Sequence, residues 1–341
     1  MCHITRPVRT VDYHTAGEPF RIVVDGLPPV DGTTVGERRV HARESADVDA
    51  VRQLLCREPR GHADMYGGFI VPPDDDGADF GALFWHNDGY STACGHGTIA
   101  LGAWAVQSGR VRAAPDGITP VTIDVPSGRV VARVRQSAGR VTGVTFENVP
   151  SYPVARSVEV KTSRGTVAVD LAFGGALYAS VEASELGLRV TPEHYDRLCA
   201  IGREIKWALN DTELARHPED ERLNGVYGTV IFDDLGDTID GPHQRNVTVF
   251  ADGRVDRSPC GSGTGARLAL LAGSGRLTAD QVLTHDSIIG TRFIGRSRPV
   301  PHTETGRRDA IIPEVEGMAY RTGEHTFTLD AHDPLSTGFV L

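Results

Sequence analysis

Two cysteines stand in near-identical settings. Cys94 lies in YSTACGHGTIA (90–100) and Cys260 in SPCGSGTGARL (258–268), and both open a Cys-Gly-x-Gly-Thr motif ahead of an apolar run with helical spacing. Glycines behind the thiol let the backbone approach a ligand closely, and a helix starting there offers N–H groups that can hold a carboxylate. The same positive helix end favours thiolate over thiol, pulling a cysteine below its usual value of about 8.5. Two such sites facing one another would hold one carboxylate between two helix ends, with a thiol on either side of the adjacent carbon. That arrangement suits taking a proton from one face of the carbon and delivering one to the other.

A single Cys-Gly pair is ordinarily packing, but two copies in register, separated by close to half of the 341 residues, read as duplicated halves. Cys2, Cys56 and Cys199 lack the setting; Cys56 and Cys199 fall in helical patterns and read as buried small hydrophobes. Five cysteines with no CxxC pair argue against a disulfide framework and against a zinc ribbon. Nothing at metal-ligand spacing accompanies Cys94, so no metal is expected. Lysine occurs only at Lys161 and Lys206, neither in a glycine-rich loop, which speaks against a Schiff-base cofactor. CGSGTG lacks the Lys-Ser/Thr ending of a phosphate loop and is not GxGxxG, so a nucleotide is not expected either.

The elements that must position the thiols form a mixed pattern. Short β-rich runs at 21–24, 69–71, 121–125, 129–135, 247–250 and 326–329 are separated by Gly, Asp and Pro turns. Helical patterns cover 47–55, 97–106, 192–209 and 263–272. The length suggests two domains, each able to bury its own core. A formal charge of -10 argues against nucleic acid, which needs clustered Lys and Arg, and a small solute is the expected partner. The opening MCHITRPVRTVDYH has no apolar core for a signal peptide, and no later run reaches the length of a membrane span, so a soluble cytoplasmic protein is expected.

The stretches VDYHTAGEPFRIV (11–23), PRGHADMYGGFIVPP (59–73), HNDGYSTACGHGTIALG (86–102), ENVPSY (147–152), FGGALYA (173–179), NVTVFADGRVDRSPCGSGTGARLAL (246–270), SIIGTRFIGR (287–296) and DPLSTGFVL (333–341) together resemble the proline racemase family. That family comprises proline racemases, hydroxyproline 2-epimerases and trans-3-hydroxyproline dehydratases, and the resemblance spans the whole chain. It implies an α/β (α+β) fold like that of diaminopimelate epimerase. Two pseudo-symmetric domains each wrap a curved, mostly antiparallel sheet around a central helix, with the active site in the cleft. The expected division is residues 1–150 plus 326–341, carrying Cys94, and residues 151–325, carrying Cys260. No cofactor and a homodimer are implied.

By motif position, the resemblance makes Cys94 and Cys260 the acid/base pair and gives the substrate carboxylate to the backbone of Gly95, His96, Gly261 and Ser262. Asp256 and His96 would contact the ring nitrogen, and Phe250 and Tyr66 would line the ring pocket. Bland roles compete with several of these. His96 could simply orient its loop, Asp256 could cap the Asp-Arg-Ser-Pro turn, and Phe250 could be strand core. His14 and Thr15 read as supporting residues.

Within the family the dehydratases carry threonine at the second catalytic position, whereas this chain has Cys260, which points to racemisation or epimerisation. A bulky apolar Phe250 leaves a 4-hydroxyl without an evident partner and favours proline, while a 3-hydroxyl lies nearer the other ring edge. Dehydration of trans-3-hydroxy-L-proline, 2-epimerisation of hydroxyproline and, in a different class, a silent imino-acid-binding protein remain open at this point.

Overall fold

The computed structural model describes residues 4, 6–300, 306, 307 and 309–341; Cys2 lies outside them. The chain divides into two units, Met1–Val144 with Met318–Leu341, and Thr145–Gly317. The first division falls inside a strand, Arg140–Glu147, where composition carries no signal. Among the described residues no helix is long and apolar enough to cross a membrane.

In the first unit, Val8–Thr15 pairs antiparallel with Glu18–Asp25 on one side and with the late strand Ala319–Phe327 on the other. Glu18–Asp25 runs parallel to Tyr66–Val71, which is antiparallel to Phe80–His86. Phe80–His86 in turn lies parallel to Gly117–Val125, and the hairpin closes with Gly128–Ser137.

The second unit repeats this order. Gly165–Phe173 pairs antiparallel with Tyr152–Thr162 and with Leu177–Glu182. Leu177–Glu182 runs parallel to Val226–Thr238, which is antiparallel to Gly241–Phe250. Gly241–Phe250 lies parallel to Leu283–Ser287, itself antiparallel to Arg292–Pro299. Each unit is thus a mostly antiparallel sheet with parallel steps at the same two places, the α/β architecture expected from the sequence.

Among the described residues five α-helices accompany these sheets: α1 (Val35–Glu44), α2 (Ala46–Cys56), α3 (Gly95–Gln107), α4 (Tyr195–Asn210) and α5 (Gly261–Gly273). α3 is buried at every position from Gly95 to Val106, and α5 from Gly261 to Leu271. A helix apolar on all sides is stable only when surrounded. α3 packs against Val8–Thr15, Glu18–Asp25 and Gly128–Ser137, and α5 against the corresponding Gly165–Phe173, Leu177–Glu182 and Arg292–Pro299. Each sheet therefore wraps one helix whose first turn carries the Cys-Gly motif.

α4 is amphipathic, burying Leu198, Ile201, Gly202, Ile205 and Leu209 at helical spacing against the core of the second unit. Gly202 lets the helix sit close to the sheet, since a Cβ there would lie 2.7 Å from the Val249 Cβ. α1 has no counterpart among the sequence-expected helices. Its sequence VGERRVHARE is largely charged and buries only Val35, Arg38 and Ala42, so it shows no apolar period; it is held by a Thr34–Glu37 capping box. The expected strand at 326–329 ends at Phe327.

The start of α5 is fastened from below by a buried polar cluster. The Asn246 amide donates to the Pro259 carbonyl (2.9 Å) and to His285 Nε2 (2.7 Å), while Thr264 Oγ1 lies 2.8 Å from His285 Nδ1 and 3.2 Å from the Pro259 carbonyl. A neutral imidazole with its proton on Nδ1 accepts from the Asn246 amide at Nε2 and donates to the Thr264 hydroxyl, which in turn donates to the Pro259 carbonyl. A second proton on Nε2 would face the Asn246 NH2 group. Burial, the leading cause, and the Arg267 charge push His285 down to about 3.

Two outcomes follow. Ala is favoured over Gly in a helix by about 1 kcal/mol, but the methyl of Gly202→Ala meets a rigid Val249. The variant is expected to be less stable by about 1–3 kcal/mol in chemical denaturation; an increase in stability contradicts the packing. For His285, the unfolded chain binds a proton below about 6.5 that the folded chain refuses until about 3. Its contribution to stability is therefore full above 6.5 and is lost as pH falls, at about 1.4 kcal/mol per pH unit. Denaturation between pH 7.5 and 5 is expected to show this extra slope in the parent protein and its absence in His285→Gln; equal slopes refute it.

Candidate active site

Cys94 is the N-cap of α3, in extended conformation (φ −155°, ψ 101°), and its sulfur accepts the Gly97 N–H at 3.2 Å. The Thr98 N–H and hydroxyl both turn back to the Cys94 carbonyl, at 3.0 and 2.8 Å. Gly95 and His96 follow the cap in the first turn of the helix, where backbone N–H groups are not used by the intrahelical pattern. Glycine at 97 is required, because a Cβ would lie 2.4 Å from the Phe20 ring and 2.7 Å from the Cys94 sulfur.

His96 brings its Nδ1 to 3.5 Å from the Cys94 sulfur. Its ring is held edge-on by Tyr66 (4.9 Å between centroids) and Phe20 (5.7 Å). Tyr66 is anchored by a 2.5 Å hydrogen bond between its hydroxyl and that of Ser91. The Thr15 hydroxyl donates to the His96 carbonyl at 2.9 Å, and His14 Nδ1 accepts the Gly17 N–H, the supporting roles expected for that segment. The structure thus gathers Cys94, Gly95, His96 and Tyr66 in one place.

Cys260 is the N-cap of α5 but is built differently. Its backbone has φ +62° and ψ 108°, a region that favours glycine and costs another residue about 1–3 kcal/mol. The Cys260 N–H donates to the Ser258 hydroxyl at 3.1 Å, and the Ser258 hydroxyl and N–H donate to one carboxylate oxygen of Asp256, at 2.7 and 2.8 Å. The Asp256 carboxylate therefore does cap the Asp-Arg-Ser-Pro turn and so fixes the strained residue. As at the first helix, Thr264 returns its N–H to the cysteine carbonyl, at 2.8 Å. A Cβ on Gly263 would lie 3.0 Å from the Cys260 sulfur.

Contrary to the lowering expected from the helix end, burial, then the Asp256 charge, push the Cys260 thiol well up from its usual range; the Gly263 N–H and the Thr248 and Tyr178 hydroxyls oppose this. Phe250 is buried and stacks on Tyr227 (5.8 Å, 15°), whose ring meets Tyr178 edge-on at 5.7 Å. Gly261, Ser262, Asp256 and Phe250 all belong to this second group. Cys56 and Cys199 stand apart from both, Cys56 buried in the core of the first unit and Cys199 donating to the Gly253 carbonyl.

Sequence reasoning missed Tyr178, Thr248 and Ser258 around Cys260, and Phe20 and Ser91 around His96. Ser91 and Ser258 lay within three residues of the cysteines, and a search for hydroxyls next to the motifs would have found them. Tyr178, 82 residues from Cys260, reaches it through the packing of α5 against Leu177–Glu182.

Among the described residues no group of three or more His, Cys, Asp or Glu side chains is arranged to hold a metal ion. What the two arrangements offer chemically is a thiol beside backbone donors, twice, with a tyrosine or histidine next to each sulfur.

The proline racemase family model matches residues 10–340. The chain is 45% identical over 340 residues to a trans-3-hydroxy-L-proline dehydratase of Azospirillum brasilense and, equally, to a 3-hydroxyproline 2-epimerase of Burkholderia multivorans, each match covering 99% of both chains. The crystal structure of a hydroxyproline epimerase from Agrobacterium vitis, with bound trans-4-hydroxy-L-proline, is similar with a TM-score of 0.88 and 30% identity, over 100% of this chain and 97% of that one. With two glycine-headed cysteine motifs on two like-ordered sheets, this chain belongs to the proline racemase family of isomerases.

Proposed function

We propose that the protein epimerises a proline-type amino acid at Cα by two-thiol proton transfer, with no cofactor. The observation that carries this is the shared construction of the two motifs: a cysteine caps each buried helix, with glycine at the third helical position directly against its sulfur. One thiolate removes the Cα proton; the other thiol, on the opposite face, supplies its own; the two cysteines exchange protonation states with each turnover. The N–H groups of Gly95, His96, Gly261 and Ser262 take the substrate carboxylate, which spreads the charge left on Cα. Asp256 and His96 pair with the ring ammonium, and Phe250 and Tyr66 face the ring. A homodimer is carried over from the resemblance.

Among the candidate substrates we put trans-3-hydroxy-L-proline first. Its support is that two relatives at 45% identity are named for a 3-hydroxyproline, one as dehydratase of the trans-L isomer and one as 2-epimerase, and Phe250, which disfavours a 4-hydroxyl, does not argue against a 3-hydroxyl. Unsubstituted proline, favoured by Phe250 alone, comes second. Cys260 supports epimerisation over dehydration, because a threonine hydroxyl holds its proton too tightly to return one to carbon.

The test is chiral chromatography of both substrates beside a coupled assay of the cyclic imine. Cys94→Ala and Cys260→Ala are each expected to lose epimerisation by about 10²–10⁴-fold. Retention of more than a few per cent of turnover by either would remove that thiol from the mechanism. Cys260→Thr is expected to stop epimerisation while leaving proton removal by Cys94, so that the 3-hydroxyl departs and imine forms. Undiminished epimerisation by Cys260→Thr refutes the two-thiol reading, and imine as the main product of the parent protein replaces it with dehydration.

A further inference from the structure

We propose that the hydroxyls of Tyr178 and Ser262 form a reversible hydrogen-bond chain that serves the Cys260 sulfur in both of its protonation states, which makes Tyr178 a positioning residue for proton transfer there. The inference rests on Cys260 being an acid/base group. Tyr178 is fully buried in the strand Leu177–Glu182, with its oxygen 2.7 Å from Ser262 Oγ and 3.9 Å from the Cys260 sulfur. Tyr227 closes on its ring from the side. Gly174, just before the strand, keeps it against the helix start, since a Cβ there would sit 2.5 Å from the Ser262 carbonyl.

A hydroxyl can donate one hydrogen bond while accepting others, so two in series can reverse direction. With Cys260 as thiol, S–H donates to the Tyr178 oxygen and the Tyr178 O–H donates to Ser262. With Cys260 as thiolate, the Tyr178 O–H turns to the sulfur and the Ser262 O–H turns to Tyr178. Only rotations of O–H bonds are involved; the proton that is made or lost travels between sulfur and Cα. Tyr178 remains a neutral donor throughout, because burial holds its ionisation far above the usual range. The sulfur–oxygen separation is long for the neutral pair and shortens when the sulfur carries charge. In so buried a setting this chain replaces the water that would solvate a thiolate elsewhere.

The experiment follows iodoacetamide labelling of individual cysteines by peptide mass spectrometry at fixed pH, with Cys199 as internal reference. A hydrogen bond to a charged group is worth about a factor of ten in thiolate population. Tyr178→Phe is therefore expected to slow labelling at Cys260 about tenfold relative to Cys199 and to lower kcat with KM nearly unchanged. Ser262→Ala is expected to shift the labelling in the same direction, and it stands in should Tyr178→Phe fold poorly. A loosened structure would instead expose Cys260 and speed its labelling. Faster or unchanged labelling in both variants overturns the chain, while the acid/base reading falls separately if Cys260→Ser keeps its turnover.

Discussion

A helix buried from its first residue through most of its length leaves its first turn of N–H groups without water, and both halves of this protein are organised around that constraint. At α3 and α5 the local answer is the same: a cysteine at the cap, glycine where a side chain would crowd the sulfur, and threonine bonding back to the cysteine carbonyl. What each helix does not satisfy for itself is what a substrate carboxylate can satisfy. The sheet order, repeated in the two units, places such a helix against the equivalent strands in each.

The two copies are alike in backbone plan and unlike in surroundings. Cys94 sits in relaxed extended conformation beside an imidazole held between aromatic edges. Cys260 is held at positive φ by the Asp256–Ser258 turn and faces hydroxyls. An isomerase acting on two stereoisomers must serve two faces that differ in where the ring lies, and unequal surroundings for equal thiols are a physical route to that.

Much of this was legible in the sequence because the motif is local. The four helical patterns marked α2, α3, α4 and α5 within a few residues, and Cys94, Cys260 and their following glycines were readable from adjacent letters. α1 was not, since a helix that buries Val35, Arg38 and Ala42 among charges shows no period. Tyr178, Thr248, Asn246 and His285 were not either, because strand pairing and the packing of α5, rather than proximity in the chain, bring them to Pro259 and Cys260. Asp256 shows a further limit: Asp-Arg-Ser-Pro offered a turn cap only as the rival to a ring-nitrogen contact, and nothing in the letters said that the turn holds a cysteine at positive φ.

The strand Ala319–Phe327 completes the sheet of the first unit by pairing with Val8–Thr15, although the entire second unit is synthesised between them. On the ribosome, the order of completion is thereby inverted. The nascent second unit can close while the earlier segment still waits for its edge, and α3 is boxed in only after Ala319–Phe327 has left the exit tunnel. A chain cut short before Ala319 would carry a first unit without this strand.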